Sequence, residues 1–175
     1  AEIWATQLDA ATMGKSRTDL ATFPASISVG GTPTSVVIGP GPEAAYVANQ
    51  GGDISFVNVP TATTFSSVAV PGSVFRVIIG YGDPPVIYVA GNSDSVFAIN
   101  TLTQAIIRRV EVGLDPNGLA LAPSGGALYV TNMSGGTLSE VELGGFTVSR
   151  TIVLGGTPQD VVVSPDGTEL YVANE

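Results

Sequence analysis

The sequence contains neither cysteine nor histidine, and these two absences exclude several classes of function. Without cysteine the chain has no disulfide bridge, no thiolate metal site and no cysteine nucleophile. Without histidine it lacks the most common general base and the most common transition-metal ligand. A serine nucleophile would have no histidine to accept its proton, so the composition favours a protein that is not an enzyme.

Positive charge is also scarce. The 175 residues include 6 lysines and arginines against 15 aspartates and glutamates, which gives a net charge of −9, and Lys15 is the only lysine. A chain with so few cations cannot neutralise a row of phosphates, which argues against nucleic acid and anionic membrane surfaces as partners. No apolar run approaches the roughly 20 residues of a membrane-spanning helix, so membrane insertion is not expected.

Hydrophobic residues make up 44% of the sequence and charged residues only 12%. This composition is typical of a packed globular chain and not of a disordered one, and the length suits one domain over residues 1–175. The chain opens with Ala1-Glu2 and has no charged-then-apolar leader, as expected for an exported protein after signal cleavage or for a trimmed chain.

One short pattern returns along the whole chain. It is read at Tyr46-Val47-Ala48-Asn49, Tyr88-Val89-Ala90-Gly91, Tyr129-Val130-Thr131-Asn132 and Tyr171-Val172-Ala173-Asn174, so the tyrosines lie 42, 41 and 42 residues apart. A constant period of this size indicates a repeat architecture. The predicted repeat units are residues 3–45, 46–87, 88–128 and 129–170, with the start of another unit at 171–175.

Each unit contains four short strand-like segments separated by turn residues. In the best example these segments are residues 35–38, 45–48, 54–59 and 66–70. Four antiparallel strands in about 42 residues are typical of a β-propeller blade. With 22 glycines and 12 prolines punctuating the chain, the sequence predicts an all-β propeller fold of about four blades and almost no helix.

The predicted strands at the two ends of the chain do not make up complete blades. If residues 35–38 form a first strand, the chain begins at the second strand of one unit and ends after the second strand of another. Residues 159–164 could complete the first unit and close a four-blade ring. Alternatively, the chain is part of a larger propeller, or its strand edges pair with another copy and give a homo-oligomer.

The repeated residues resemble the YVTN family of β-propeller repeats. Besides the Tyr-Val strands, the resemblance rests on the turns at Gly30 to Pro33, Gly155 to Pro158 and Pro165-Asp166-Gly167. It implies a β-propeller, an exported or surface protein of bacteria or archaea, and no enzymatic activity. We expect these residues to serve the scaffold: the glycines supply positive φ and the prolines fix the entry into a strand.

Acidic residues at turns are the weak candidates for a metal site, namely Asp53, Asp94 and Asp166. Loop carboxylates and carbonyls could bind Ca²⁺, and the strand pair Glu140 and Glu142 could supply two carboxylates to an active site. Solvated acids with arginine partners at the surface explain the same pattern, so no cofactor is expected.

The sequence thus predicts a non-catalytic, extracytoplasmic module whose turn face contacts a protein or a polysaccharide, as a single module or as a self-assembling component of a surface layer or filament. Two alternatives stay open. One is a propeller lactonase or lyase with a divalent metal in its central channel. The other is a truncated sensor or recognition domain of a larger surface protein.

Overall fold

The computed structural model describes residues 2–7, 12–17, 25–40, 44–82 and 84–175. These residues form seventeen β-strands and no helix, and the strands pair in antiparallel sheets. The described part of the chain accordingly offers no helix that is long and apolar enough to cross a membrane. The prediction of an all-β fold built of four-stranded antiparallel sheets is confirmed.

The chain divides into two compact units, residues 1–77 and 78–175, with the boundary inside one strand. The first unit begins with a three-stranded sheet of β1 (Glu2–Gln7), β2 (Thr12–Arg17) and β3 (Ala25–Ser28). A four-stranded sheet follows, with β4 (Pro33–Ile38), β5 (Ala44–Asn49), β6 (Asp53–Asn58) and β7 (Thr63–Ala69) in chain order. Residues 8–11 and 18–24 of the predicted first repeat unit lie outside the described residues.

The unit boundary falls within β8 (Val74–Ile79), which forms a sheet with β9 (Val86–Gly91), β10 (Ser95–Asn100) and β11 (Ala105–Glu111). The next sheet contains β12 (Pro116–Leu121), β13 (Ala127–Asn132), β14 (Thr137–Glu142) and β15 (Thr147–Val153). A two-stranded sheet of β16 (Pro158–Val163) and β17 (Leu170–Asn174) follows. Residues 158–163 of β16 pair with β17 in antiparallel register. Completion of the first unit by residues 159–164 stays a prediction.

Two irregularities each recur at corresponding places in three of the sheets. The register shifts after the proline that opens the first strand, at Pro33, Pro116 and Pro158. It shifts again between the third and fourth strands, after Phe56, Ala98 and Glu140. Bulges of this kind increase the local twist of a sheet, and their recurrence indicates that the repeat of the sequence is also a repeat of backbone geometry.

The core of the first unit lies between its two sheets. Met13 and Ile27 of the three-stranded sheet pack with Ala45, Val47 and Val57 of the four-stranded sheet, and all five side chains are buried. The period-2 alternation of the strands places these residues on one face. Tyr46 points to the other face, where its ring meets Phe56 edge to face at a centroid distance of 5.1 Å.

The core of the second unit follows the same plan. Tyr88 and Ala90 of β9 share one buried cluster with Leu128 and Val130 of β13. The ring of Tyr88 also stacks on Phe146, with centroids 6.1 Å apart. Burial raises the pKa of the Tyr88 hydroxyl, and the nearby Arg108 partly offsets that effect. The tyrosine face of one sheet therefore packs against the aliphatic face of the following sheet.

The turn glycines have the positive φ angles that were expected for them. Gly30, Gly155 and Gly167 have φ angles of +98°, +71° and +75°, a region that side chains with a Cβ rarely enter. Pro33 and Pro158 are buried at the starts of β4 and β16. In the hairpin at 165–167, the amide of Gly167 donates to the carbonyl of Ser164 at 2.8 Å.

Gly118 permits a close approach between β12 and β16, which are the first strands of two sheets in the second unit. A Cβ at this position would lie 2.7 Å from the Cα atom of Asp160 and 2.7 Å from Oγ1 of Thr131. One of these atoms is backbone, and Thr131 is fully buried, so neither can move aside easily. Only glycine fits between β12 and β16 at this point.

We predict that Gly118→Ala destabilises the protein by about 1–3 kcal/mol, the usual cost of overpacking a closely packed interior. Its urea midpoint should fall, measured by circular dichroism of the β signal. Gly126→Ala is the matched control, because its Cβ would meet nothing closer than 3.7 Å and its φ is ordinary. Equal midpoints for the two variants would contradict the role assigned to Gly118.

Candidate functional site

Hydrogen bonds join three successive loops of the second unit through Asp94, Asp115 and Ser134. The amide of Asp115 donates to Oδ1 of Asp94 at 3.2 Å, and the hydroxyl of Ser134 donates to Oδ2 of Asp115. Backbone bonds run in parallel, from Val112 N to the Asp94 carbonyl at 3.0 Å and from Met133 N to the Asp115 carbonyl at 2.9 Å. We call these bonds the turn network; they fix the loops relative to one another.

Both aspartates of the turn network lie in the left-handed region of backbone conformation. The φ angles are 55° for Asp94 and 52° for Asp115. Among residues with a Cβ, aspartate and asparagine tolerate this region best, because their short polar side chains can bond to nearby backbone. These two positions therefore have a structural reason to be aspartate, independent of any ligand.

An open pocket of about 420 Å³ lies beside the turn network. It is lined by Ser93, Asp94, Arg109, Glu111, Val112, Gly113 and Leu114. The guanidinium of Arg109 donates from Nε to Oγ of Ser95 at 3.0 Å and pairs with Glu111 at 3.2 Å. It also lies 6.0 Å from the centre of the Phe97 ring.

Several groups at this pocket are available to a ligand. The side chains of Arg109 and Glu111 are 55% and 81% exposed. Leu114 is 55% exposed and adds an apolar edge. The Ser93 hydroxyl oxygen is buried and has no hydrogen-bond partner among the described residues. The exposed groups of the pocket thus offer a cation, carboxylates and an apolar contact, and its described lining residues include no activated nucleophile.

Arg109 occupies a position where other sheets have hydroxyl residues. Register pairs Phe97 with Arg109, whereas the corresponding pairs are Ser55 with Ser67 and Ser139 with Thr151. A serine pair is thus replaced by an aromatic ring and a guanidinium. The ring is buried, and the guanidinium over it is attracted to the π face. This departure from the repeat supplies the positive charge of the pocket.

The three predicted weak metal candidates lie in three separate hairpins. Oδ2 of Asp53 accepts a bond from Asn49 at 3.0 Å, and Asp94 belongs to the turn network. Asp166 accepts from the Ser164 hydroxyl at 2.6 Å and from the amide and hydroxyl of Thr168, and these bonds lower the pKa of its carboxyl. Within the described ranges no three acidic, histidine or cysteine side chains come together as a metal site would require.

The carboxylate pair on β14 is also divided. Glu140 forms an ion pair with Arg150 at 2.9 Å. Glu142 accepts bonds from the amides of Gly145 and Gly144, both at 2.6 Å, and these bonds hold the pKa of its carboxyl below the usual value. Each carboxylate has its own local partner, so the structure does not bring the two together at one reacting centre.

The asparagines of the repeat are fully buried structural residues in two of the sheets. Nδ2 of Asn49 donates to the Val29 carbonyl at 3.1 Å and to Ser55 Oγ at 2.9 Å. Nδ2 of Asn132 donates to Oγ atoms of Thr137 and Ser139, both at 2.9 Å. Because Asn132 is buried, the glycosylation sequence Asn132-Met133-Ser134 presents no accessible acceptor in the folded chain.

The pocket itself is not apparent from sequence patterns. Asp94 and Asp115 are recognisable as turn acids, and Arg109 as a surface cation, but nothing in the sequence brings them to one cavity. Ser93 and Leu114 carry no signal at all. The one usable clue is that the 88–128 unit departs most from the repeat, with Gly91 and Phe97 in place of asparagine and serine.

No family model matches this sequence, and neither does any curated protein. Among solved structures, hydrazine synthase of Kuenenia stuttgartiensis has a similar fold over 99% of the chain, with a TM-score of 0.93 and 17% identity. A functionally unknown protein from Desulfotomaculum acetoxidans is similar over 100% of the chain, with a TM-score of 0.86 and 17% identity.

The chain spans 52% of the hydrazine synthase chain and 60% of the second neighbour, a little over half of each. The TM-scores show a shared fold, but at identities this low the likeness carries no activity over to this chain. The fold is also widespread, since 1380 chains of solved structures match it. Because one fold serves many functions, a functional conclusion has to come from the site.

We predict that Ca²⁺ titrated into the metal-free protein gives no saturable heat in isothermal titration calorimetry. The reason is that Asp53, Asp94 and Asp166 are each held by their own local hydrogen bonds. A saturable heat that Asp94→Asn abolishes would contradict this prediction and assign a metal site to the turn network.

Proposed function

We propose that the protein is a non-catalytic β-propeller module that binds a partner through the pocket beside the turn network. The propeller is supported by the 42-residue period of the sequence, the four-stranded sheets and the close likeness to parts of longer chains. The binding role is carried by one observation: Phe97 and Arg109 replace a hydroxyl pair of the repeat and place a cation at an open pocket.

The pocket chemistry favours a protein partner over a polysaccharide. Its lining contains both signs of charge, in Arg109 and Glu111, together with the exposed Leu114. Paired charges around an apolar contact match the rim of a protein interface, where complementary charges set orientation and specificity. Among the described residues that line the pocket there is no aromatic ring to stack on the face of a sugar, as carbohydrate sites commonly provide.

We place the protein outside the cytoplasm, and the resemblance to YVTN repeats supports this localisation. A single binding module is our first proposal, and self-assembly into a surface layer or filament through strand edges is a variant of it. A recognition or sensor domain of a larger surface protein fits the same pocket. The coverage of little more than half of the neighbouring chains is compatible with that variant.

A binding experiment tests the pocket directly. The ¹⁵N-labelled chain is titrated with candidate surface proteins and, in parallel, with neutral and acidic oligosaccharides. We expect a protein ligand to shift amides in the segments 93–95 and 109–115. Arg109→Thr, which introduces the residue type of Thr151 at the same position of the repeat, should weaken binding about tenfold or more because a charge-assisted contact is lost.

Arg150→Thr is the matched control. Arg150 is also an exposed strand arginine in an ion pair, but it lies on β15 next to Glu140 and away from the pocket lining. It should leave the affinity unchanged. Shifts caused only by oligosaccharides would replace the protein partner by a polysaccharide. Binding that Arg109→Thr does not weaken would refute the assignment of this pocket.

A second function is an enzyme that acts at the first strands of the sheets, of the propeller lactonase or lyase class. The observation that favours it is a polar group on β12 and β16. Asn117 Nδ2 donates to Gln159 Oε1 at 3.3 Å, next to the half-buried Asp160. Amide and carboxylate oxygens of this kind could bind a divalent ion in a channel.

This second function predicts hydrolysis of lactones that depends on an added divalent ion and is lost in Asp160→Asn. We expect no such activity under the binding-module proposal, because the chain has no histidine to act as base near neutral pH. The measurement is product release with Ca²⁺, Mg²⁺ or Zn²⁺ against a chelator. Metal-dependent turnover in the parent chain and not in Asp160→Asn would establish the enzyme.

A further inference from the structure

A second open pocket, of about 390 Å³, lies in the first unit. The connection that follows β3, the start of β6 and the outer strand β7 form its walls. Most of its lining side chains carry an oxygen atom, in a set that consists of Asp53 and of the hydroxyl residues Ser28, Ser55, Thr64, Ser66 and Ser67. We call this cavity the hydroxyl pocket.

Asp53 contributes the only charge among the described lining residues of the hydroxyl pocket. Its side chain is half-buried, and its one hydrogen-bond donor in the described part of the chain is a neutral amide, Nδ2 of Asn49, at 3.0 Å from Oδ2. Water and salt screen a half-buried charge less than an exposed one. The pocket therefore attracts a positive charge.

The carboxylate is a departure from the repeat. The third strand begins with Asp53 in β6, with Ser95 in β10 and with Thr137 in β14. In β14 the Thr137 hydroxyl oxygen accepts a bond from Asn132 at 2.9 Å, and Asp53 accepts the equivalent bond from Asn49. A hydroxyl is thus sufficient for this bond of the scaffold, so the charge of Asp53 needs another explanation.

The outer strand β7 departs from the repeat in the same direction. Register places Ser66 where β15 has Arg150, and Ser67 where β11 has Arg109. Both arginines form ion pairs with carboxylates, at 2.9 and 3.2 Å. Strand β7 contains no lysine or arginine. It therefore does not provide Asp53 with the kind of cation that the outer strands of the other two four-stranded sheets carry.

The hydroxyl groups of the pocket act as acceptors towards a ligand. Ser55 donates its proton to the carbonyl of Val29, and Thr64 donates to the carbonyl of Ser28. Their oxygen atoms keep lone pairs, because a hydroxyl oxygen can accept two bonds besides the one it donates. A ligand that fits has several donors and no need of an acceptor, which describes an ammonium group and not a sugar hydroxyl.

Two other cations match the lining less well. A guanidinium pairs best with both oxygens of a carboxylate at once, and Oδ2 of Asp53 already accepts from Asn49. Ca²⁺ takes six to eight oxygen ligands, usually with several carboxylates among them, and the described lining has one carboxylate. A primary ammonium needs only three acceptors around a compact charge.

We propose that the hydroxyl pocket binds a primary ammonium group, carried by a lysine side chain of a partner protein or by a free alkylamine. Asp53 supplies the opposite charge, and Ser55 and Thr64 accept hydrogen bonds from the ammonium. The net charge of −9 adds a long-range attraction for cationic ligands. This site lies in the first unit and does not rest on the function proposed for the pocket beside the turn network.

The probes are butylamine and Nα-acetyl-lysine methylamide, which both carry one primary ammonium at neutral pH, and butanol is their uncharged analogue. Each is titrated into the ¹⁵N-labelled chain at constant low ionic strength. We expect saturable shifts at the amides of residues 28–30, 53–55 and 64–67 with both amines and none with butanol. Added NaCl should weaken the binding, because salt screens the charge pair.

The two amines distinguish the sources of the ammonium. Tighter binding of the lysine probe would indicate a partner protein, whose backbone then adds contacts around the pocket. Tighter binding of butylamine would indicate a free amine. Both results support an ammonium site.

Two variants test the role of the charge. Asp53→Asn keeps an acceptor for Asn49 and removes the charge, so amine affinity should fall about tenfold or more. Ser67→Arg introduces the arginine that β11 has at this register position and should have the same effect by adding a cation. Ser67 is exposed, so the longer side chain has room. Circular dichroism with a urea midpoint checks that each variant is folded.

Asp166→Asn is the matched control. Asp166 is also a turn aspartate, but it belongs to the second unit and does not line the hydroxyl pocket. Its exchange should leave the amine affinity unchanged.

Three results would overturn the proposal. The first is the absence of saturable shifts with either amine. The second is an equal response to butanol, because the ammonium would then contribute nothing. The third is undiminished amine binding in folded Asp53→Asn and Ser67→Arg, which would place the amine at another site. Neutral oligosaccharides that shift these amides where the amines do not would assign the pocket to a sugar instead.

Discussion

The structure depends on the burial of the second strand of each four-stranded sheet. This strand is paired at both edges and buried on both faces: Tyr46 and Ala48 lie on one side, Val47 and Asn49 on the other, and all four are 5% exposed or less. Successive side chains of such a strand point to opposite buried faces, so the strand carries no charged residue. That constraint explains why Tyr-Val-Ala-Asn, a pattern with no chemistry of its own, is the element that the sequence repeats.

The buried asparagine of the repeat adds directional hydrogen bonds to this packing. Buried amides are costly unless bonded, so Asn49 and Asn132 each require hydroxyl partners on the third strand. The bonds also extend to the segment that enters the sheet, since Asn49 reaches the Val29 carbonyl and Ser139 reaches that of Val112. One side chain thus ties together the second strand, the third strand and the preceding connection, which fixes the register of the repeat.

Strand positions could be predicted from the sequence because they follow from local physics. Alternation, β-branched residues and turn glycines place the segments 35–38, 45–48 and 54–59 within two residues of β4, β5 and β6. The fourth segment, 66–70, begins three residues after the start of β7. The pocket could not be predicted in this way. The pocket requires a hydrogen bond from the amide of Asp115 to Asp94, 21 residues away, and a guanidinium of Arg109 that lies over the ring of Phe97. Such contacts depend on how loops of different sheets come together, which periodicity does not encode.

The least regular repeat unit is the one that lines the pocket, and this coincidence supports the functional proposal. A scaffold position tolerates change only when its partners change with it. Gly91 and Phe97 remove the amide and the hydroxyl together, so neither member of this hydrogen-bonded pair is left without the other.

The buried Phe97 then gives the exposed Arg109 a surface to lie on, and Ser95 holds its Nε at 3.0 Å. A repeat that only had to fill space would gain nothing from this combination, because hydroxyl pairs already occupy this position in the two other four-stranded sheets. Natural proteins most often depart from their own structural rules where a site needs a particular group. The direction of the change, from paired hydroxyls to a cation at an open pocket, is therefore better explained by binding than by packing.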